Sequence, residues 1–327
     1  MKGLQLLRRS IKLLTLLCVA GCVVGQVFRD RTLPTALMFY FPPILMGIGA
    51  IAIDLLCRGR TIRRPRYFVT LVGLLLICLQ IAQLFRWGPA PRARAAGEIL
   101  VLQWNVMWGG SFNREIVRTW PKLAARVRDT NADLIVLSEA PFGNEAARFA
   151  ESMGWSIEEF RGAEPSGYLF RQTVMSRFPL RVLRRDRWGI GCGMLLEMDT
   201  PEGTLRTLVV DGLSQPWATR AALFDRITET LEEDRKAGGT VDLILGDFNT
   251  PAGAVGFDRL NAAPWSFVEA SDFTRGWRAT WRSSLPLWSI DHVLVGPRWS
   301  VAECRMIGAA QTDHLGHVVR IARREVR

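Results

Sequence analysis

Apolar residues fall into two regimes along the 327-residue chain. Up to residue 86 they form three long stretches, Ile11–Phe28, Leu33–Leu56 and Tyr67–Phe85. Each is about long enough to cross a ~30 Å hydrocarbon core as a helix. Pro42-Pro43 predicts a kink or break in the second. Beyond residue 98 the runs shorten to strand length and alternate with helical periodicity. Strands are expected at Ile99–Asn105, Asp133–Ser138, Val174–Ser176, Arg181–Arg184, Thr204–Val210, Val241–Leu245, Ser289–Val295 and Val318–Ala322. Helices are expected at Arg114–Thr130, Phe142–Met153 and Thr219–Lys236, the last ended by Gly238-Gly239. This mixture of hairpin-like and helix-linked strands predicts mixed sheets packed together with helices outside. The domain reading is a transmembrane anchor with three helices over 1–87, a linker over 88–97 and an α/β domain over 98–327.

Charge follows the same division. Residues 1–96 hold 14 Lys and Arg against Asp30 and Asp54, while the remainder holds 28 against 29 acids. The overall +11 therefore belongs to the N-terminal part. A basic total supports nucleic-acid binding only when the charge sits in the binding domain, and here that domain is nearly neutral. Lys2, Arg8, Arg9 and Lys12 precede the first span, and Arg58, Arg60, Arg63, Arg64 and Arg66 separate the second from the third. These nine outnumber the five of the other side, Arg29, Arg31, Arg86, Arg92 and Arg94. The asymmetry predicts a multi-pass protein of the cell membrane, its N-terminus cytoplasmic and everything after Phe85 extracytoplasmic. Val19-Ala20-Gly21-Cys22 also resembles a lipoprotein cleavage site, but apolar sequence continues to Phe28, which favours a span. Cys192 and Cys304 stand alone in the outer domain, and their pairing is open in the sequence.

Five apolar segments end in polar residues suited to metal-assisted phosphate hydrolysis. They are Leu102-Gln103-Trp104-Asn105, Leu134–Leu137 before Ser138-Glu139, Leu243–Gly246 before Asp247-Phe248-Asn249, Ser289-Ile290-Asp291-His292, and Thr312-Asp313-His314. Ligands of open α/β sheets collect beyond strand ends, so such residues can converge. Asp247 and Asn249, two apart, suit water activation and hydrogen bonding to developing charge, or alternatively shape an Asx turn.

The order and wording of these segments resemble the endonuclease/exonuclease/phosphatase superfamily of DNase I-like proteins. Val174-Met175-Ser176-Arg177-Phe178-Pro179 looks like the central "SR-P" strand of that superfamily. The resemblance covers about 98–325 and implies a four-layer α/β sandwich, two packed mixed β-sheets flanked by helices. It also implies a metal shell of Asn105, Glu139 and Asp313, with Glu139 the principal ligand of Mg²⁺ or, alternatively, Mn²⁺. Asp247 is then expected to orient or deprotonate water, and Asn249 to bind phosphate oxygens. His314 is expected to hydrogen-bond the phosphoryl oxygen, held in its charged form by Asp291. His317 has no motif support and is read as structural.

One departure stands out. Much of the family has a His where Leu208-Val209-Val210 runs into Asp211-Gly212, and no His precedes His292 in this chain. Asp211 is a candidate metal or substrate contact, or a turn residue. Arg220 is a candidate phosphate contact, or a solvated helix residue. The leading expectation is a membrane-tethered phosphoesterase acting on a phosphate ester or pyrophosphate. Resemblance to membrane-anchored, teicoplanin-resistance-associated members points to a lipid-borne substrate and to the bilayer as partner. An exported nuclease is the alternative, with Trp104, Trp108, Trp217, Trp277 and Trp281 stacking on bases. A catalytically inactive membrane binding or sensor protein is the third. Nothing in the sequence indicates a protein partner.

Overall fold

In the computed structural model the described residues are 2–56, 68–110, 116–163, 167, 169–218 and 220–324. The basic run Arg58–Arg66, used above for orientation, lies outside them. The chain divides into two units, Met1–Phe85 and Arg86–Arg327.

The first unit holds helices α1 (Lys2–Phe28), α2 (Leu33–Tyr40), α3 (Pro43–Leu56) and α4 (Phe68–Leu84). Among the described residues one helix, over Ser10–Phe28, is long and apolar enough to cross a membrane alone. The expected second span is broken: Tyr40 ends α2, Pro43 starts α3, and the two axes bend by 71°. Proline lacks the amide hydrogen a continuous helix needs, so Pro42-Pro43 forces the break. The third is apolar but only 17 residues, roughly 26 Å at 1.5 Å per residue, short of a full hydrocarbon core. The three-span expectation thus reduces to one clear candidate, or two if the bent pair counts as one span. Val19–Cys22 lies within the uninterrupted α1.

The second unit contains twelve principal strands: β1 (Glu98–Asn105), β2 (Leu134–Ser138), β3 (Ser156–Ala163), β4 (Leu169–Ser176), β5 (Leu180–Arg187), β6 (Gly191–Thr200), β7 (Gly203–Gly212), β8 (Leu243–Asp247), β9 (Val268–Glu269), β10 (Asp291–Val295), β11 (Trp299–Ile307) and β12 (Gly316–Arg323). They form two six-stranded mixed sheets, ordered β11-β12-β1-β2-β4-β3 and β9-β10-β8-β7-β6-β5. Each sheet has one parallel pair at its centre, β1 with β2 and β7 with β8, and antiparallel neighbours outside it. Parallel pairing needs a crossover, supplied by α5 (Ile116–Asp129) and α7 (Arg220–Lys236). With α6 (Glu145–Met153) and α8 (Val255–Asn261) these helices flank the two packed sheets.

Strand periodicity explains both the core and the site. On β1 the even residues Leu102 and Trp104 pack on Trp120, Leu123 and Phe149 of the helical layer. The odd residues Ile99 and Val101 enter the inter-sheet core. That core also takes Leu134 and Val136, Leu205 and Val209, Leu243 and Leu245, Val293 and Val295, and Val319 and Ile321. Continuing each inward row by two residues reaches Asn105 through Gln103, and Ser138, Asp211, Asp247, Asp291 and His317. The inward rows are apolar through the sandwich and turn polar at one end. Cys192 and Cys304 sit buried in the apolar part as thiols rather than as a disulfide.

Candidate active site

The polar end is where the parallel strands finish and their antiparallel neighbours begin. Gly246 shapes the first arm. Its φ is 145°, and a Cβ there would stand 1.9 Å from the carbonyl oxygen of Val210, so β7 and β8 approach closely only because this residue has no side chain. Asp247 follows, nearly fully buried. Its Oδ1 accepts from the backbone N–H of Asn249 at 2.8 Å, and its Oδ2 accepts from Asn105 Nδ2 at 2.9 Å across the gap between sheets. The Asx turn is therefore real, and it aims the carboxylate. Asn249 has a φ of 48° and its Nδ2 donates to the carbonyl of Gly212 at 2.9 Å.

The opposing arm is an ion pair. His314 Nδ1 lies 2.8 Å from Asp291 Oδ2, and its Nε2 lies 4.0 Å from Asp247 Oδ2 and 3.9 Å from Asp313 Oδ1. Burial alone would lower the His314 pKa, but the charge and hydrogen bond of Asp291, with Asp247 and Asp313, raise it to about 10. Burial, reinforced by Asp291, pushes Asp247 up to about 7. Asp291 is held low: its desolvation is outweighed by His314 and by the Thr280 hydroxyl. Trp104 Nε1 donates to the carbonyl of His314 at 3.0 Å, and Trp281 Nε1 donates to Asp313 Oδ2 at 2.9 Å.

Glu139 closes the site from β2. Its φ of 46° is unusual for a non-glycine residue and places the strain at the site itself. Burial raises its carboxyl; the Asn105 amide and His314 pull it down, while Asp313 and Asp291 push it up. Asn105, Glu139, Asp247, Asp291, Asp313 and His314 thus cluster at one end of the sandwich. Among the described residues Asp247, Asp291 and His314 offer donor atoms within 4.8 Å of one another, close enough to hold a metal ion. A protonated His314 is not a ligand, so a proton and a metal compete there. The carboxylate and amide oxygens of Glu139, Asp313 and Asn105 are hard donors, and their acidic surroundings carry a charge deficit that suits a divalent cation.

Asp211 and Arg220 differ in their surroundings. Asp211 is buried and lies beside Asp247 in the parallel register. Arg220 braces the loop after β7: its Nη1 donates to the Leu213 carbonyl at 2.5 Å and its Nη2 to the Gln215 carbonyl at 3.0 Å. Of the candidate stacking residues, Trp104 is fully buried and Trp277 donates to Pro286 O, whereas Trp217 is exposed.

Three contributors were not singled out from sequence. Gln103 Nε2 donates to Asp291 Oδ1 at 3.2 Å, and its Oε1 lies 3.2 Å from Nδ1 of buried His317. Burial lowers the His317 pKa and favours the neutral ring, whose Nδ1–H fixes which way the Gln103 amide points. Glu269 binds His292 Nδ1 at 2.8 Å, and His292 Nε2 binds the carbonyl of Thr250 at 2.8 Å, anchoring the loop beyond Asn249. Thr312 Oγ1 donates to the carbonyl of Asn105 at 2.9 Å and links two arms. Only the inward strand period marks Gln103; Glu269 has no local signal.

Residues 102–314 match the model of the Endonuclease/Exonuclease/phosphatase family. No curated protein matches the chain in sequence. The human Nocturnin catalytic domain shares the fold with a TM-score of 0.56 and 12% identity over 71% of this chain and 97% of that one. A D. rerio TDP2 humanized by 14 mutations gives 0.53 and 13% over 69% and 99%. The Bacteroides thetaiotaomicron mannosyl-6-phosphatase gives 0.53 and 12% over 68% and 99%. At these identities the likeness is one of fold.

Proposed function

The chain belongs to the endonuclease/exonuclease/phosphatase family, and from that premise we propose that it is a divalent-metal-dependent phosphoesterase. The proposed substrate is a lipid-linked phosphate ester or pyrophosphate. The proposed setting is outside the cytoplasm, with the N-terminal apolar helix as a membrane tether. The observation that carries the reading is the facing pair of arms, Asn105–Asp247 on one side and Asp291–His314 on the other, 4.0 Å apart at His314 Nε2. That gap is too long for a direct hydrogen bond and short enough for one oxygen to touch both groups.

His314, charged and held through Nδ1, donates its Nε2–H to a phosphoryl oxygen. Asp247, titrating near 7, accepts a proton from the attacking water. The Asn105 and Asn249 hydrogen bonds fix its two oxygens while it does so. Glu139, Asn105 and Asp313 are the residues that would hold Mg²⁺ or Mn²⁺, which when bound neutralises phosphate charge and aligns the displacement. Asp211 lies beside Asp247, in the place where much of the family has a His.

The full chain in detergent with Mg²⁺ tests this on a panel of phosphate monoesters, diesters, pyrophosphates and plasmid DNA. Asp247→Ala is expected to reduce release of phosphate or alcohol by about a thousandfold or more. Equal turnover by the wild type and the variant would instead support a binding or sensor protein. Plasmid cleavage outpacing every small phosphate would make it a nuclease.

A further inference from the structure

The register places a defined set of loops around the site. Asn105 and Ser138 pair at the ends of β1 and β2, Gly191 pairs Gly212, Ala163 pairs Leu169, and Ile307 pairs Gly316. Those paired strand ends therefore all lie at the site end of the sandwich. Among the described residues of the second unit, five large apolar side chains are exposed. Four are on this rim: Phe142 (45% exposed), Leu169 (53%), Trp217 (66%) and Leu285 (61%). The fifth, Trp87, lies outside these loops. Exposed apolar residues gathered at one end, from four separate segments, are not the scattered pattern of an ordinary surface.

Apart from the site's own Glu139, Asp247, Asp313 and His314, the described loop residues at this end are almost without charge. Residues 106–110, 140–144, 188–190, 213–218, 248–254, 281–290 and 308–312 carry one formal charge, Arg282. At the chain's average of 22% charged residues these 41 positions would carry about nine. Water is therefore cheaply removed from this end. A nucleic-acid backbone is a poor match for it, since phosphate binding there requires several basic contacts. The rim is also built rather than loose. Phe142 stacks on Trp108 at 4.8 Å and 8°, and the Trp108 N–H donates to the carbonyl of Glu139 at 2.6 Å. The two donors of buried Arg220 brace the loop that presents Trp217.

We propose that this apolar rim rests on the surface of a lipid bilayer, so that the phosphate reaching Asp247 and His314 is carried by a lipid. The substrate class rests on the phosphoesterase reading above; the membrane contact does not. Partial insertion of Trp217 and Leu285 supplies the affinity for the surface, and the charge-poor loops lose little on meeting it.

Two measurements on the full chain separate the parts. In the first, the protein is reconstituted into phosphatidylcholine vesicles with or without brominated acyl chains. The tryptophan emission of Trp217, taken as wild type minus Trp217→Phe, is expected to be quenched several-fold by the brominated chains. Emission unaffected by bromine overturns the membrane contact, whatever the enzyme does. In the second, hydrolysis of dioleoyl phosphatidic acid in those vesicles is compared with that of its water-soluble dibutyryl counterpart. Trp217→Ser with Leu285→Ser is expected to lower the long-chain rate at least tenfold and the short-chain rate less than twofold. Equal losses on both, no loss on the long chain, or loss of plasmid cleavage instead overturns the lipid assignment. If wild type and Asp247→Ala are alike on every substrate, the phosphoesterase reading fails, and with it the lipid-substrate assignment, while the quenching still decides the rim.

Discussion

Glu269→Gln perturbs the site from behind, without touching any residue that faces phosphate or metal. His292 is fully buried and Glu269 mostly so, and through the Thr250 carbonyl they hold the loop that carries Asn249. Burial alone would raise Glu269, but the charge and hydrogen bond of His292 outweigh it and hold the carboxyl at about 2, against an ordinary 4.5. A carboxyl depressed by folding contributes stability that is present above its unfolded pKa and lost as pH falls through its folded one. The window is therefore from pH 4.5 down to about 2. At 1.36 kcal/mol per pH unit the depression corresponds to roughly 3 kcal/mol at neutral pH. Gln keeps the shape and an acceptor but not the charge, so the variant is expected to lose about 2 kcal/mol at pH 7. It is also expected to lack the part of the wild-type acid limb below pH 4.5. Denaturant titrations of the full chain in detergent, followed by tryptophan emission at pH 7, 4 and 3, measure both. A loss below about 0.5 kcal/mol at pH 7, or an unchanged acid limb, would refute a charged pair here.

Gln103→Leu removes the amide donor to Asp291 at nearly constant volume, and a hydrogen bond to a charged group is worth about 1.5–3 kcal/mol. It is expected to lower kcat roughly tenfold to a hundredfold with KM little changed; steady-state hydrolysis within twofold of wild type would remove Gln103 from the positioning of His314. Gly246→Ala puts a Cβ against the Val210 carbonyl and is expected to cost about 4 kcal/mol or more, read as a shift in the unfolding midpoint. Arg220→Met frees the loop at Leu213 and Gln215, and hydrogen–deuterium exchange is expected to rise there while the strands stay protected.

The site's principal residues were legible because strand period and strand ends carry them. Asn105, Asp247 and Asp291 continue inward rows that are apolar until the last residue, and a wrong register would have exposed the core. The Asx-turn and water-activation readings of Asp247 are compatible, since the Asn249 amide that makes the turn also aims the carboxylate. Arg220 stayed open in the sequence because a helix N-terminal Arg reads the same whether it meets phosphate or a carbonyl. Gln103, Glu269 and His317 were not legible as partners: their contacts join residues 188, 23 and 214 apart. The strands Ser156–Ala163, Gly191–Thr200 and Trp299–Ile307 were only partly anticipated, since glycines and charges interrupt their alternation. The membrane segments misled by composition alone, because hydropathy counts residues through Pro42-Pro43 as though the helix were continuous.

A metal-dependent phosphoesterase must lose its activity with its metal. Phosphate release by the full chain is measured after chelation and then during Mg²⁺ readdition, for wild type and Glu139→Gln. The account predicts that chelation abolishes activity, that Mg²⁺ restores it, and that Glu139→Gln needs at least about tenfold more metal for half-activity. Activity indifferent to the chelator, or identical metal curves for the two proteins, would contradict it.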